Sequence, residues 1–276
     1  MQTDRNSITV IESKSAWSLF DLKELFSYRD VFFFLIWRDI KVLYAQTILG
    51  FLWAILQPLI TITLFTIVFG TVAKVPSDGV PYVLFSTVAI IPWTYMSQSM
   101  SNSSQSLVAG QNLLGKIYFP RLLFPLTSIF ANLVDFSISM LIFIAVSLYY
   151  HVIPTWNLLF LPLFCILMIC ISASVGIGFS AMAIRFRDVK YAMPFSLRML
   201  MYTAPIVYSA SAIPEKYRLW YSFNPIVSVI EGFRACLLGT PFPWQYIWPG
   251  TLVTLILLLV GLYYFKRMEQ IFVDVI

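Results

Sequence analysis

An all-α, polytopic membrane protein is the fold class this sequence predicts, and three observations predict it. Of its 276 residues, 59% are hydrophobic and only 11% charged, with a mean hydropathy of +0.82, whereas soluble domains carry about 25% charged residues. Six apolar stretches are each long enough to cross a bilayer, which takes about 20 helical residues. Lysine and arginine, finally, are unevenly shared between the segments that join those stretches. The net charge of +5 therefore reads as loop charge that orients the chain in a membrane, not as a nucleic-acid surface.

Residues 1–15 are polar, and a helical pattern begins at Trp17, with Leu22, Leu25 and Phe26 on one face and Asp21, Lys23 and Glu24 off it. The first thirty residues hold many charges and no early apolar run, so no cleavable leader is expected. The apolar run 31–37 is too short to span. Residues 17–44 are therefore expected to lie in the membrane interface as an amphipathic helix, aromatic side chains in lipid and Arg29, Arg38 and Lys41 toward the headgroups. The predicted organisation is a cytoplasmic tail and interfacial helix, 1–47, followed by a six-helix transmembrane domain, 48–276.

The six predicted spans are 48–69, 82–100, 122–150, 158–184, 193–212 and 247–265. With the N-terminus inside, the inner segments collect Lys116, Arg121, Arg185, Arg187, Lys190, Lys266 and Arg267 beside six basic residues ahead of the first span. Only Lys74, Lys216, Arg218 and Arg234 fall on the other side. This asymmetry predicts both termini in the cytoplasm. Between the fifth and sixth spans, 226–238 is apolar but short and interrupted by Glu231 and Arg234. Backbone that turns back at membrane depth is tolerated where protein or a wet cavity covers it, so outer re-entrant helices are expected there, bounded by Pro225, Pro241 and Pro243.

The stretch 97–125, SQSMSNSSQSLVAGQNLLGKIYFPRLLFP, is a polar island that reads as a cytoplasmic loop between the second and third spans. Gly110, Gly115 and Lys116 are spaced G-x-x-x-x-G-K, but a phosphate-binding loop needs Ser or Thr after the lysine and a buried strand before the glycines. Here Ile117 follows and Ser101 to Ser106 precede, so a nucleotide site is rejected. Cys165, Cys170 and Cys236 make no C-x-x-C and read as packing residues. No Ser/His/Asp set and no metal-spaced cluster emerges, which points to a chain that moves a substrate without converting it.

Several spans carry polar stripes at helical spacing. Gln57 and Thr61 mark the first; Tyr82, Ser86, Trp93 and Ser97 the second; Ser128, Asn132, Asp135 and Ser139 the third; Arg198, Tyr202 and Ser209 the fifth. Charges at membrane depth face a partner or a wet cavity, so Asp135 and Arg198 are candidates to pair across spans, with helix-to-helix glue the structural alternative. Ser172, Gly176 and Ser180 form a small-residue face suited to close helix packing. With one acid in the spans and one histidine, His151, at an edge, a proton relay is not expected.

Three local patterns then carry a family resemblance. Arg38, Asp39, Ile40, Lys41, Tyr44, Leu49, Gly50, Trp53, Gln57 and Pro58 resemble the R-D-I-K-x-x-Y…L-G-x-x-W-x-x-x-Q-P approach to the first span of polysaccharide-exporting ABC permeases. Asn112, Leu113, Leu114, Lys116, Tyr118, Phe119, Pro120 and Arg121 are similar to the N-L-[IL]-x-K-x-Y-F-P-R element of that family, and Asn224, Pro225 and Arg234 to its N-P…R stretch. The resemblance covers nearly the whole chain. It implies the permease subunit of an O-antigen, capsule or teichoic acid exporter in the bacterial inner membrane. Such a subunit works as a homodimer with two copies of a separate ATPase that binds ATP and Mg, while the permease itself holds no cofactor. It further implies ATPase coupling through Asn112, Lys116, Tyr118, Phe119, Arg121, Arg187 and Asp188. Gln57, Tyr82, Trp93, Asn132, Asp135, Arg198 and Tyr202 are the residues expected to line a pathway for a lipid-linked glycan. A permease for lipids or small drugs, and a membrane transferase using His151 or Asp78, are the rival readings.

Overall fold

The computed structural model describes residues 22–45, 50–114 and 119–269, and among them it contains helices and no strand. The predicted interfacial element becomes two helices, α1 (Leu22–Ser27) and α2 (Arg29–Ala45). Phe26, Phe33, Phe34 and Trp37 stand exposed while Leu35 is buried, and Phe32 packs edge-on against Phe130 at 5.5 Å. Residues 17–21 of that prediction lie outside the described residues.

α3 (Leu52–Phe65) runs on as a π-helical segment, Thr66–Val72, and after a turn α4 (Tyr82–Ala109) runs back for 28 residues into the short α5 (Gln111–Leu114). α6 (Leu123–Ala131) and α7 (Leu133–Tyr149) meet at Asn132. A 3-10 turn, Trp156–Phe160, leads into α8 (Leu161–Arg185), which is followed by α9 (Val189–Thr203), α10 (Glu215–Ser222), α11 (Pro225–Leu238) and α12 (Trp244–Glu269). Four of these runs are long and apolar enough to cross a membrane: Leu52–Val72, Leu123–Tyr149, Trp156–Arg185 and Trp244–Glu269.

Of the other two predicted spans, 82–100 is helical throughout as the first part of α4, and 193–212 is not. The stretch 193–212 does not stay helical, because Pro205 follows Ala204 and a proline pushes the residue before it out of the helical region. Ala204 sits at φ −93, ψ 151, and α9 ends at Thr203. The polar island 97–125, read as a loop, is helical as far as Ala109. Some of its serines bond back within the helix, Ser104 donating to the Ser101 carbonyl and Ser106 to that of Ser103, both at 2.7 Å, while the buried hydroxyls of Ser99 and Ser103 have no hydrogen-bond partner among the described residues.

α4 is the pillar around which the rest packs. Leu84, Phe85, Val88, Ala89, Ile90, Ile91, Met96, Met100 and Leu107 are buried along it against α6, α7, α8 and α11. The small-residue face predicted on the fourth span does bring backbones together: a Cβ on Gly176 of α8 would lie 2.5 Å from the Ser103 hydroxyl of α4. α12 approaches α8 as closely, since a Cβ on Gly261 would meet the Ser174 carbonyl oxygen at 2.6 Å. Small residues allow such approach, and dispersion between close helices is what holds a bundle together where lipid is as apolar as leucine.

α11 is almost wholly buried among α4, α8 and α12, and its ends are set locally. The Asn224 side chain caps it by accepting from the Ile226 amide at 3.1 Å, Pro225 opens its first turn, and Gly239 at φ +71 ends it. The bundle has a basic end, carrying α2, Arg121, the α8–α9 turn and Lys266–Arg267, and an opposite end formed by 73–81, 204–224 and 239–243.

Candidate functional site

The second half of α4 projects three amides at helical spacing, Gln98, Asn102 and Gln105, which share one face. α4 packs there on α6 and α7 and shares a cavity wall with α2. At the hinge between α6 and α7, Asn132, 2% exposed, donates to the Ser128 carbonyl at 2.8 Å and accepts from the Asn102 amide at 3.4 Å. One turn further, Asp135 accepts a hydrogen bond from the Tyr44 hydroxyl of α2. Arg38 grips the neighbouring Asp39 through Nε at 3.0 Å and a terminal nitrogen at 2.8 Å.

These groups line a chain of three cavities. The largest, about 570 Å³, opens at the basic end between Arg38, Asp39, Gln105 and Ser128. The next, about 180 Å³, shares Asp39, Val42, Asn102 and Ser128 with it and adds Asn132. The third, about 270 Å³, shares Asn102 and Asn132 with the second and reaches Gln98, Gln57, Trp53 and Asp135. Together they form one furrow lined by amides, two carboxylates and aromatic edges, running from the basic end toward the middle of the bundle. Burial, and next to it the hydrogen bond and charge of Asp135, push the Tyr44 phenol up, so Tyr44 stays a donor and holds α2 against α7.

Gln57, Asn132 and Asp135 of the predicted pathway are brought together here. Tyr82 is at the opposite end, its hydroxyl donating to the Val207 carbonyl at 2.8 Å. Trp93, expected on the pathway, is packed into the core instead, at 6% exposure, because α4 turns that face toward its helical neighbours. The expected Asp135–Arg198 pair is not formed. α9 packs on α4 and α8, leaving Arg198 and Tyr202 exposed, and among the described residues Arg198 makes no ion pair.

Of the residues implied in coupling, Lys116, Tyr118 and the side chain of Asn112 lie outside the described residues. Phe119 is buried against Phe124, ring centroids 5.3 Å apart, and Arg121 donates to the Glu269 carbonyl of α12 at 3.2 Å. Arg187 and Asp188 are exposed on the turn between α8 and α9, at the same end. The amides Gln98, Asn102 and Gln105 escaped sequence reasoning; their i, i+4, i+7 spacing was the signal, hidden by the reading of 97–125 as a loop.

Residues 30–238 match the profile of the ABC-2 type transporter membrane family. The chain belongs to the ABC-2 type transporters. Among curated proteins it is similar to the O-antigen export system permease protein RfbA of Klebsiella pneumoniae, 27% identical over 240 residues that cover 87% of this chain and 92% of that one. RfbA of Myxococcus xanthus is 25% identical over 216 residues, 78% of this chain and 82% of its own. The polysialic acid transport protein KpsM of Escherichia coli is 25% identical over 244 residues, 84% and 91% of the two chains. For an ABC-2 permease the furrow is the natural candidate site, because it is the polar route that reaches from one end of the bundle toward its middle.

Proposed function

We propose that this chain is the permease subunit of an ABC exporter that carries a lipid-linked cell-surface polysaccharide across the bacterial inner membrane. The observation that carries the reading is the furrow seen beside the family match. Amides and hydroxyls at membrane depth exact a desolvation cost unless they meet a partner or a polar substrate, and a row of weak acceptors and donors with no deep site suits a polymer that must slide. Gln57, Asn132 and Asp135 would touch the passing glycan, with Gln98, Asn102 and Gln105 facing them. Arg38 and Asp39, at the wide mouth, would meet its polar head group. Tyr82, Arg198 and Tyr202 would lie further along the route in the assembled transporter.

The permease works in this reading as a homodimer with two copies of a separate ATPase that holds ATP and Mg. α3 buries only 11% of its apolar window within its own chain, which leaves it free for lipid and a second copy. Asn112, Lys116, Tyr118, Phe119 and Arg121, with Arg187 and Asp188, would receive the push of the ATPase at the basic end. Arg121 is hydrogen bonded to the end of α12, so motion there is passed to a helix that crosses the bundle. In the bilayer, α4, and α9 with the segment after it, would complete six spans, and α11 would be the re-entrant helix, with both termini cytoplasmic.

Deletion of the gene in its host tests the reading. The expected result is loss of the surface polysaccharide and build-up of its lipid-linked form on the cytoplasmic side of the inner membrane. A surface polysaccharide unchanged in amount and length would overturn it.

A further inference from the structure

At the opposite end of the bundle a separate cavity of about 280 Å³ lies between the 73–81 turn, the segment after α9, α11 and the start of α12. Four charged residues line it, Asp78, Arg218, Glu231 and Arg234, and their charges cancel. Arg234 is 4% exposed. One terminal nitrogen donates to Glu231 at 2.7 Å, the other lies 3.5 Å from the Ile206 carbonyl, and the guanidinium carbon is 3.8 Å from the centroid of the Phe85 ring, while buried Nε has no hydrogen-bond partner among the described residues. A buried charged group that is only partly answered carries a desolvation penalty, and Arg234 lines this cavity. Asp78 accepts from the hydroxyls of Ser209 and, at 2.9 Å, Ser211, so its carboxylate is held in place at the rim. The Glu231 ion pair engages one carboxylate oxygen and leaves the other without a partner among the described residues.

We propose that this cavity is a subsite for a single neutral sugar unit, its hydroxyls donating to Asp78 and Glu231 and accepting from the guanidiniums that line it with them. The chemistry selects that ligand class. An anion would meet two carboxylates and a cation two guanidiniums, whereas a polyol answers donors and acceptors together. Phe85, Leu238 and Pro241 supply apolar lining for a C–H face. The volume stands just under the roughly 300–1,000 Å³ of ordinary small-molecule pockets, room for one ring and not a chain. The subsite rests on the export reading: it lies at the end where a glycan would emerge, and it would hold a terminal or branching sugar there.

The test is ligand-observed NMR on the permease with its ATPase in lipid nanodiscs. The probes are D-glucose, D-galactose, D-mannose, N-acetyl-D-glucosamine and the acid hydrolysate of the host's own surface polysaccharide, with inorganic phosphate as the anionic comparison. Saturable binding of at least one sugar is expected, weakened about tenfold or more by Asp78→Asn, the effect of losing one hydrogen bond to a charged group. Glu231→Gln, which keeps the shape but removes the charge opposite buried Arg234, is the second variant; its fold is checked by thermal unfolding, and it is expected to weaken binding likewise. Binding of no sugar, binding indifferent to both variants, or phosphate bound more tightly than every sugar overturns the subsite. The gene deletion reports on export independently, so sugar binding in a host whose surface polysaccharide survives deletion would sink the export reading and leave the subsite standing.

Discussion

The hydrogen bond from Tyr44 to Asp135 joins α2 to α7, and its strength can be measured by a double-mutant cycle. Tyr44→Phe removes the hydroxyl and keeps the ring, which also packs on Phe51 with centroids 5.5 Å apart. Asp135→Asn keeps the shape and an acceptor while removing the capacity for charge. A hydrogen bond to a charged group contributes about 1.5–3 kcal/mol, and one between neutral groups about 0.5–1.5 kcal/mol. Both side chains are half-buried, so water can partly replace the lost partner, and the expected coupling energy is about 1–2 kcal/mol. Equilibrium unfolding of the purified permease in mixed detergent micelles, carried out for wild type, both single variants and the double variant, gives this quantity directly. Additive effects, with a coupling under about 0.3 kcal/mol, would refute the claim that this bond fastens α2 to α7. Transport should fall together with stability, because a loosened α2 no longer walls the mouth of the furrow.

Asn102→Leu and Gln105→Leu are expected to slow glycan export in complemented cells while the amount of assembled transporter in the membrane stays the same; normal polymer length and surface amount in both would dissociate the furrow from transport. Gly261→Ala should cost about 1–3 kcal/mol by forcing α12 off α8, since its Cβ would meet a backbone oxygen at 2.6 Å, whereas Gly178→Ala, 3.6 Å from the nearest atom, should be tolerated; thermal unfolding of the two side by side decides. Arg234→Met strips Glu231 of its partner in a site where the two side chains are 5% and 13% exposed, and a loss of about 3–5 kcal/mol is expected in the same assay. Replacing both together, Arg234→Met with Glu231→Leu, should restore much of it, because the unpaired charge is then gone.

Much of the architecture was legible from composition and periodicity, because a bilayer imposes length and apolarity on whatever crosses it. The runs that became α3, α6–α7, α8 and α12 could be read directly. So could the close packing of α8, from Ser172, Gly176 and Ser180. The start of α11 was bounded correctly at Pro225, since proline at a first turn and asparagine before it are local signals.

Tertiary structure decided what hydropathy could not weigh. Gln98, Asn102 and Gln105 look solvated in a one-dimensional profile, yet α4 stands at the centre of the bundle, where neighbouring helices shield its polar face from lipid. Trp93 and Asn132 both fell on polar stripes, but one is packed in the core and the other is at the hinge facing the furrow, a choice set by which helices surround each. Asp135 bonds to Tyr44, 91 positions away, and not to Arg198. Sequence by itself determined that the chain is helical, embedded and kin to polysaccharide permeases, because those properties are written in local composition and motif. Which polar groups share a cavity was left to the packing of helices distant in sequence, because burial is a property of neighbours and no residue carries its neighbours with it.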